Sequence, residues 1–167
     1  MTKAGNFDYH EFEDFAAQFA KATAAIDGIC QKCARQLAAR LLALVIPKTP
    51  VGQYPAGSGK AGGTLRRGWT SKTHEDAAGG GEDGTRVAEY VDSLGITRVG
   101  DTYVIEVVNP VEYASYVEYG HRTVNGGWVE GRFMLTISEE RLKQIAPKAL
   151  EKMIVKEMEK HFGSDKN

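Results

Sequence analysis

The feature that most limits the fold is one long, uninterrupted helical stripe. Phe12, Phe15, Phe19, Ala22, Ile26, Ile29, Cys33, Leu37, Leu41 and Leu44 recur every three or four residues, and no proline intervenes before Pro47. That period is one face of an α-helix. Proline ends it, because the ring removes a donor and crowds the preceding turn. Asp8 and Glu11 have capping-box spacing, with Phe7 and Phe12 at the positions of a hydrophobic staple. The predicted helix covers residues 8–46 and, from Tyr9 to Ile46, is about 57 Å long at about 1.5 Å per residue. A compact domain of 167 residues has a radius of gyration of only about 15 Å. Either the helix breaks, with Asp27-Gly28 the obvious place, or it runs beyond its own domain and is covered by another subunit. The stripe keeps its phase through Gly28, which favours the unbroken helix.

Residues 48–86 change character. Ten of the 19 glycines lie between Gly52 and Gly84, in two loops either side of a short strand candidate around 65–73. Such a stretch is expected to be flexible and to supply little core. Residues 87–135 then carry the β patterning. A run at 95–99, a Gly100-Asp101 turn and a run at 102–108 predict a hairpin. Asn109 as cap, Pro110 at the first helical position and Glu112 at the third predict a short helix over 110–119, ended by Gly120. Gly126-Gly127 and Gly131 frame a last strand near Trp128. Thr136 with Glu139 has capping-box spacing for a helix over 136–162, whose face is Leu142, Ile145, Ala149, Leu150, Met153, Ile154 and Met158, with a kink expected at Pro147. The expected class is α+β in a single domain over 1–167: N- and C-terminal helices flanking a small, mostly antiparallel sheet, with a glycine-rich loop insertion.

Composition excludes several functions. With 21 Lys+Arg against 22 Asp+Glu the net charge is −1, whereas a free-standing DNA binder needs a cationic excess. No stretch approaches the roughly 20 apolar residues of a membrane span. The acidic N-terminus is unlike a signal peptide, and two cysteines are too few for a disulfide scaffold. A soluble intracellular protein is expected.

Chemistry-bearing motifs are few. Cys30-Gln31-Lys32-Cys33 lies mid-helix, away from the strand-to-helix turn of a redox site, and His10, His74, His121 and His161 form no second ligand pair. Two small apolar residues on a helix face is the favoured reading. Glu118 and His121 invite an acid/base role, yet no nucleophile or orienting partner stands near them in sequence. Gly57-Ser58-Gly59-Lys60 lacks the full spacing of a phosphate loop. One charge feature remains: Lys60, Arg66, Arg67 and Lys72 share a window without acids. It is either a solvated loop or a basic surface facing a phosphate backbone or an acidic partner.

Two blocks carry a resemblance. Thr49-Pro50-Val51 followed by Gly63-Thr64-Leu65-Arg66-Arg67-Gly68-Trp69 resembles the TPVDTGxLRRSW signature of a family of phage tail-component proteins. Tyr103 to Asn109, and then Tyr113-Ala114-Ser115-Tyr116-Val117-Glu118-Tyr119-Gly120, resemble that family's Y…V.N…YA.YVEYG block. The resemblance covers about residues 8–160, with Tyr116, Glu118, Tyr119 and Gly120 in its most specific part. It departs from the pattern in an insertion at 52–62 and in Gly131-Arg132-Phe133-Met134-Leu135, which replaces a Pro-Phe-Leu motif.

The resemblance implies a non-enzymatic α+β protein with a long N-terminal helix and no cofactor or metal. It implies a homo-oligomeric ring, hexamer or dodecamer, in the virion neck at head–tail joining or tail completion, assembled in the host bacterial cytoplasm. Its partners would be head-closure and tail-terminator or tail-tube proteins, with non-specific contact to passing DNA and none to a membrane. Thr49, Pro50, Leu65 and Trp69 would be structural. The alternatives are a tail terminator capping the tube and, from another class, a small enzyme using Glu118 and His121.

Overall fold

The computed structural model describes residues 9–60, 62–79 and 87–162. Helix α1, Tyr9–Lys48, is a single unbroken helix of 40 residues, about 60 Å long. It passes through Gly28, where an added Cβ would meet nothing within 4 Å, and Pro47 falls inside its last turn. The capping box and staple expected at Asp8 and Phe7 lie outside the described residues. The buried face of α1 is Ile29, Cys33, Ala38, Leu42 and Val45. Toward the C-terminus it is therefore centred one residue beyond the expected Leu37-Leu41-Leu44 line, whose members are half-buried.

The glycine-rich stretch differs from expectation. No strand forms at 65–73; instead α2 (Thr64–Gly68) and α3 (His74–Ala78) fold there. Leu65 and Trp69, four residues apart, bury one helical face, and Ala77 is fully buried beside them in the core. This stretch therefore supplies core after all. Residues 51–60 are exposed throughout, whereas between 62 and 79 exposed positions alternate with buried ones.

Helix α4 (Val87–Ser93) adds Tyr90 and Val91 to the same core. Strands β1 (Ile96–Val99) and β2 (Thr102–Ile105) pair antiparallel about Gly100, whose φ of 60° suits the tight turn. This hairpin is tied to α1 by Asp27. The Asp27 carboxylate accepts from the Tyr103 hydroxyl, from Arg98 at 3.2 Å and from Gln31 at 2.8 Å. The Tyr103 hydroxyl, foremost among these donors, holds the Asp27 carboxyl below the usual carboxylate value.

Helix α5 is Ala114–Tyr119 and begins later than Asn109-Pro110 suggested. Asn109 caps no helix. Its Oδ1 accepts from Val111 N at 3.2 Å, and its amide donates to the Leu65 carbonyl at 2.8 Å. The side chain thus closes a local turn and fastens α2, while Glu112 stays exposed. Strands β3 (Gly120–Arg122) and β4 (Trp128–Glu130) form a second hairpin. The β content is thus two separate two-stranded pairs rather than one sheet.

Helix α6, Met134–Phe162, continues through Pro147. It returns antiparallel to α1, with Met134 in the core beside Leu42 and Val45, and Glu157 2.7 Å from Lys32. Its predicted face is only half-buried, and Ile154 and Met158 are exposed. The class is α+β, as expected, with the core gathered at the C-terminal half of α1.

Candidate functional site

The two motif blocks form two interlocks around that core. The first begins at Thr49, fully buried at the end of α1. Its hydroxyl donates to the Val45 carbonyl at 2.8 Å and accepts from the Trp69 indole at 2.7 Å. Its carbonyl accepts from Arg66 Nε and Nη2 at 3.2 and 2.8 Å. Arg67 donates to the carbonyls of Ala77 and Gly62 at 2.8 and 3.2 Å. A Cβ at Gly68 would run into Asn109 and Val111, so glycine alone fits where α2 meets that turn. Arg66 and Arg67 thus supply donors to the main-chain carbonyls of Thr49, Ala77 and Gly62 beside the core.

The second interlock is Glu118, 4% exposed. Its carboxylate accepts from Leu135 N and Thr136 N, both at 2.9 Å, and from the Thr136 hydroxyl at 2.8 Å. It thus caps α6 from another helix. Free amides and the positive end of the macrodipole both favour an anion there, and bonds to an ionised acceptor are the stronger kind. The capping box expected from Thr136 and Glu139 is replaced: α6 starts two residues earlier, and Glu139 is exposed.

Around Glu118 the chain is held at both ends. Gly120 closes α5 with φ 84° and passes directly into β3; a Cβ there would collide with the Val129 carbonyl. Arg132 N and Phe133 N donate to the carbonyls of Val117 and Glu118 at 2.8 and 3.0 Å. Phe133, at φ 48°, has a left-handed backbone conformation, costly for a non-glycine residue. No signal in the sequence marked this strain or the pairing of Glu118 with residues 17 and 18 positions away.

These geometries leave little for catalysis. Both oxygens of Glu118 are engaged by the α6 terminus. His121 stacks at a tilt on Tyr116, ring centroids 5.7 Å apart, and its Nδ1 is buried without a hydrogen-bond partner. Cys30 and Cys33 sit mid-helix, and burial pushes the Cys33 thiol up, toward its unreactive form. Among the described residues no three His, Cys, Asp or Glu could hold a metal ion, and no helix is long and apolar enough to cross a membrane. A groove of about 490 Å³ between α4 and the first hairpin offers Lys72, Tyr90 and Glu106 but no nucleophile–base pair.

The basic window is divided. Arg66 and Arg67 are half-buried and hold main-chain carbonyls, whereas Lys60 and Lys72 are exposed. Lys60 lies 5.9 Å from the centre of the Tyr54 ring, and Lys72 lines the α4 groove. Of the remaining motif residues, Pro50 is half-buried beside Thr49, and Tyr116 and Tyr119 are exposed on α5.

What the subunit offers outward is apolar. Phe12, Phe19 and Ile26 stand exposed along α1, and no described residue of α1 before Ile29 is buried. Trp128, Val129 and Phe133 are exposed at the second hairpin.

A protein-family model described as "Bacteriophage HK97-gp10, putative tail-component" matches residues 13–120, more than half of the chain and both motif blocks. The match is shorter than the span of the resemblance and stops at Gly120, before β4 and α6. No curated protein and no solved structure matches the chain.

Proposed function

Because this chain belongs to the HK97-gp10-like family of bacteriophage tail components, we propose that it is a structural ring protein of the virion neck, acting in tail completion or head–tail joining. The family makes it a component of the virion tail. The observation that supports a ring is the first half of α1, on whose apolar stripe Phe12, Phe19 and Ile26 stand exposed in their own subunit. Exposed apolar patches on this scale mark interaction surfaces. A building role without catalysis fits polar groups that are engaged in holding helices together.

Six or twelve copies would assemble in the host bacterial cytoplasm and meet head-closure proteins on one side and tail-terminator or tail-tube proteins on the other. Ring symmetry would repeat Lys60 and Lys72 around the axis, so two exposed cations per subunit become a collar facing passing DNA or an acidic neighbouring ring.

Deletion and complementation in the phage tests the position. A neck protein leaves DNA-filled heads and separate tails of normal length. Tails of irregular length would overturn the neck reading in favour of a terminator. Lys60→Glu with Lys72→Glu tests the collar, since both side chains are exposed and the subunit should stay folded. Normal particle yield and DNA content from that variant would remove the collar.

A further inference from the structure

The two exposed apolar regions of the subunit are complementary to each other. The arm of α1 presents Phe12, Phe19 and Ile26 at intervals of seven residues. Seven residues are close to two helical turns, so the three lie on one face and span about 21 Å. Exposed Glu13 stands beside the first of them, about 100° round the helix, while Asp14, about 200° round, faces away.

The second hairpin and the turn after it carry two exposed arginines, Arg122 and Arg132, against one exposed acid, Glu130. Arg122 and Trp128 are register partners in β3 and β4, so their side chains are neighbours on one face. Gly120 is on that same face, and the Trp128 ring lies 3.0 Å from where a Gly120 Cβ would be. The edge of the indole thus takes the space a Gly120 side chain would need, and Trp128 remains 61% exposed. Arg132 and Phe133 follow directly and are also exposed. Neither arginine forms an ion pair with another described residue.

We infer that the arm of one copy docks on the β3–β4 hairpin of the next, Phe12 and Phe19 against Trp128 and Phe133, Glu13 against Arg122 and Arg132. This rests on the ring reading above and names the surfaces that would close it. Both regions are exposed in the same subunit, so neither covers the other within one chain. Arm on hairpin joins the Glu13 carboxylate to the Arg122 and Arg132 guanidinium groups, and the hairpin keeps a positive balance with Glu130 counted. A contact between two different patches of one chain is the head-to-tail kind, which closes into rings when the rotation allows. The form is that of an amphipathic helix laid on an aromatic platform, with the Trp and Arg anchors that dominate interface energies.

The test uses the full chain. Light scattering after size exclusion measures the concentration at which the assembly forms. Arg122→Glu with Arg132→Glu, and separately Glu13→Arg, should each raise that concentration about tenfold or more. The three changes together should restore assembly. As an independent arm, p-benzoylphenylalanine at position 12, in a mixture of light and isotope-labelled chains, should crosslink to a peptide containing 128–133 of the other copy. If the wild-type chain assembles while the charge reversals have no effect, the triple variant is not restored, or the crosslink falls elsewhere, the docking is overturned and the ring stands. A wild-type chain that stays monomeric at every concentration overturns the ring reading and the docking with it.

Discussion

The two halves of α1 differ although they share one helix and one apolar stripe. From Ile29 to Lys48 the stripe is covered by α2, α4, the first hairpin and α6, and Leu42 and Val45 have no exposed surface. From Tyr9 to Gly28 the same three- and four-residue period continues with no described side chain buried, and Phe12 is 64% exposed. An isolated helix of this length is marginal in water, because propagation barely outweighs the cost of nucleation. The first half therefore borrows its helicity from the second. Amphipathic periodicity shows that a face will be covered. It does not show by which chain.

The largest expected effect lies in the covered half. Leu42→Ala should lower stability by about 3 kcal/mol, the loss of buried methyl groups plus the cavity left behind. Thermal unfolding of the purified subunit measures it. A cost near zero would mean that α1 is no better packed here than in its arm.

Glu118→Gln comes next. The amide keeps the shape but replaces one acceptor oxygen with a donor facing the α6 amides, at a cost of about 2 kcal/mol. Hydrogen exchange should quicken at Leu135 and Thr136 and leave 9–28 unchanged. Equal quickening in the arm would show that the halves are coupled more tightly than their packing suggests.

Gly28→Ala sits at the boundary. An added methyl meets nothing within 4 Å, so the helix should gain about 0.7 kcal/mol from reduced freedom of the unfolded chain. Circular dichroism should show more helix. No gain would indicate a break at Gly28 in solution.

In the arm itself, Phe12→Ser should change the subunit's unfolding free energy by less than about 0.5 kcal/mol, while assembly falls sharply. A large loss of subunit stability would place Phe12 in a core.

The smallest effect is pH-dependent and concerns the tie near the boundary. The Asp27 carboxyl is held below 3.8 by the Tyr103 hydroxyl. A depressed carboxylate contributes stability that is present above its unfolded value and lost as pH falls through the folded one. Exchange in 96–105 should therefore quicken only below about pH 3.8, with the arm indifferent to it.

Several features were legible because they are local. The unbroken α1, the Gly100 turn, the α5 stop at Gly120 and a strand at Trp128 each depend on propensities within a few residues. A helix over α6 was equally visible, since its apolar period spans many turns. The phage tail-component family was legible from two short blocks, and both lie inside the matched residues.

Other features required partners distant in the chain. Residues 65–73 looked like a strand between glycine loops, yet Leu65 and Trp69 fold as helix because α1 and Asn109 provide a buried place for one helical face. Glu118 read as a cap-free acid beside a histidine until α6 returned to it from sixteen residues on. Arg66 and Arg67 read as surface charge, since nothing in their own stretch announces the carbonyls of Thr49 and Ala77. By itself the sequence determined the elements whose hydrogen bonds close within a few residues, because dihedral preference and side-chain period act over that range. Only the tertiary structure decided which polar groups became interlocks and which part of the long stripe was covered, because burial depends on surfaces that meet only when distant segments fold together.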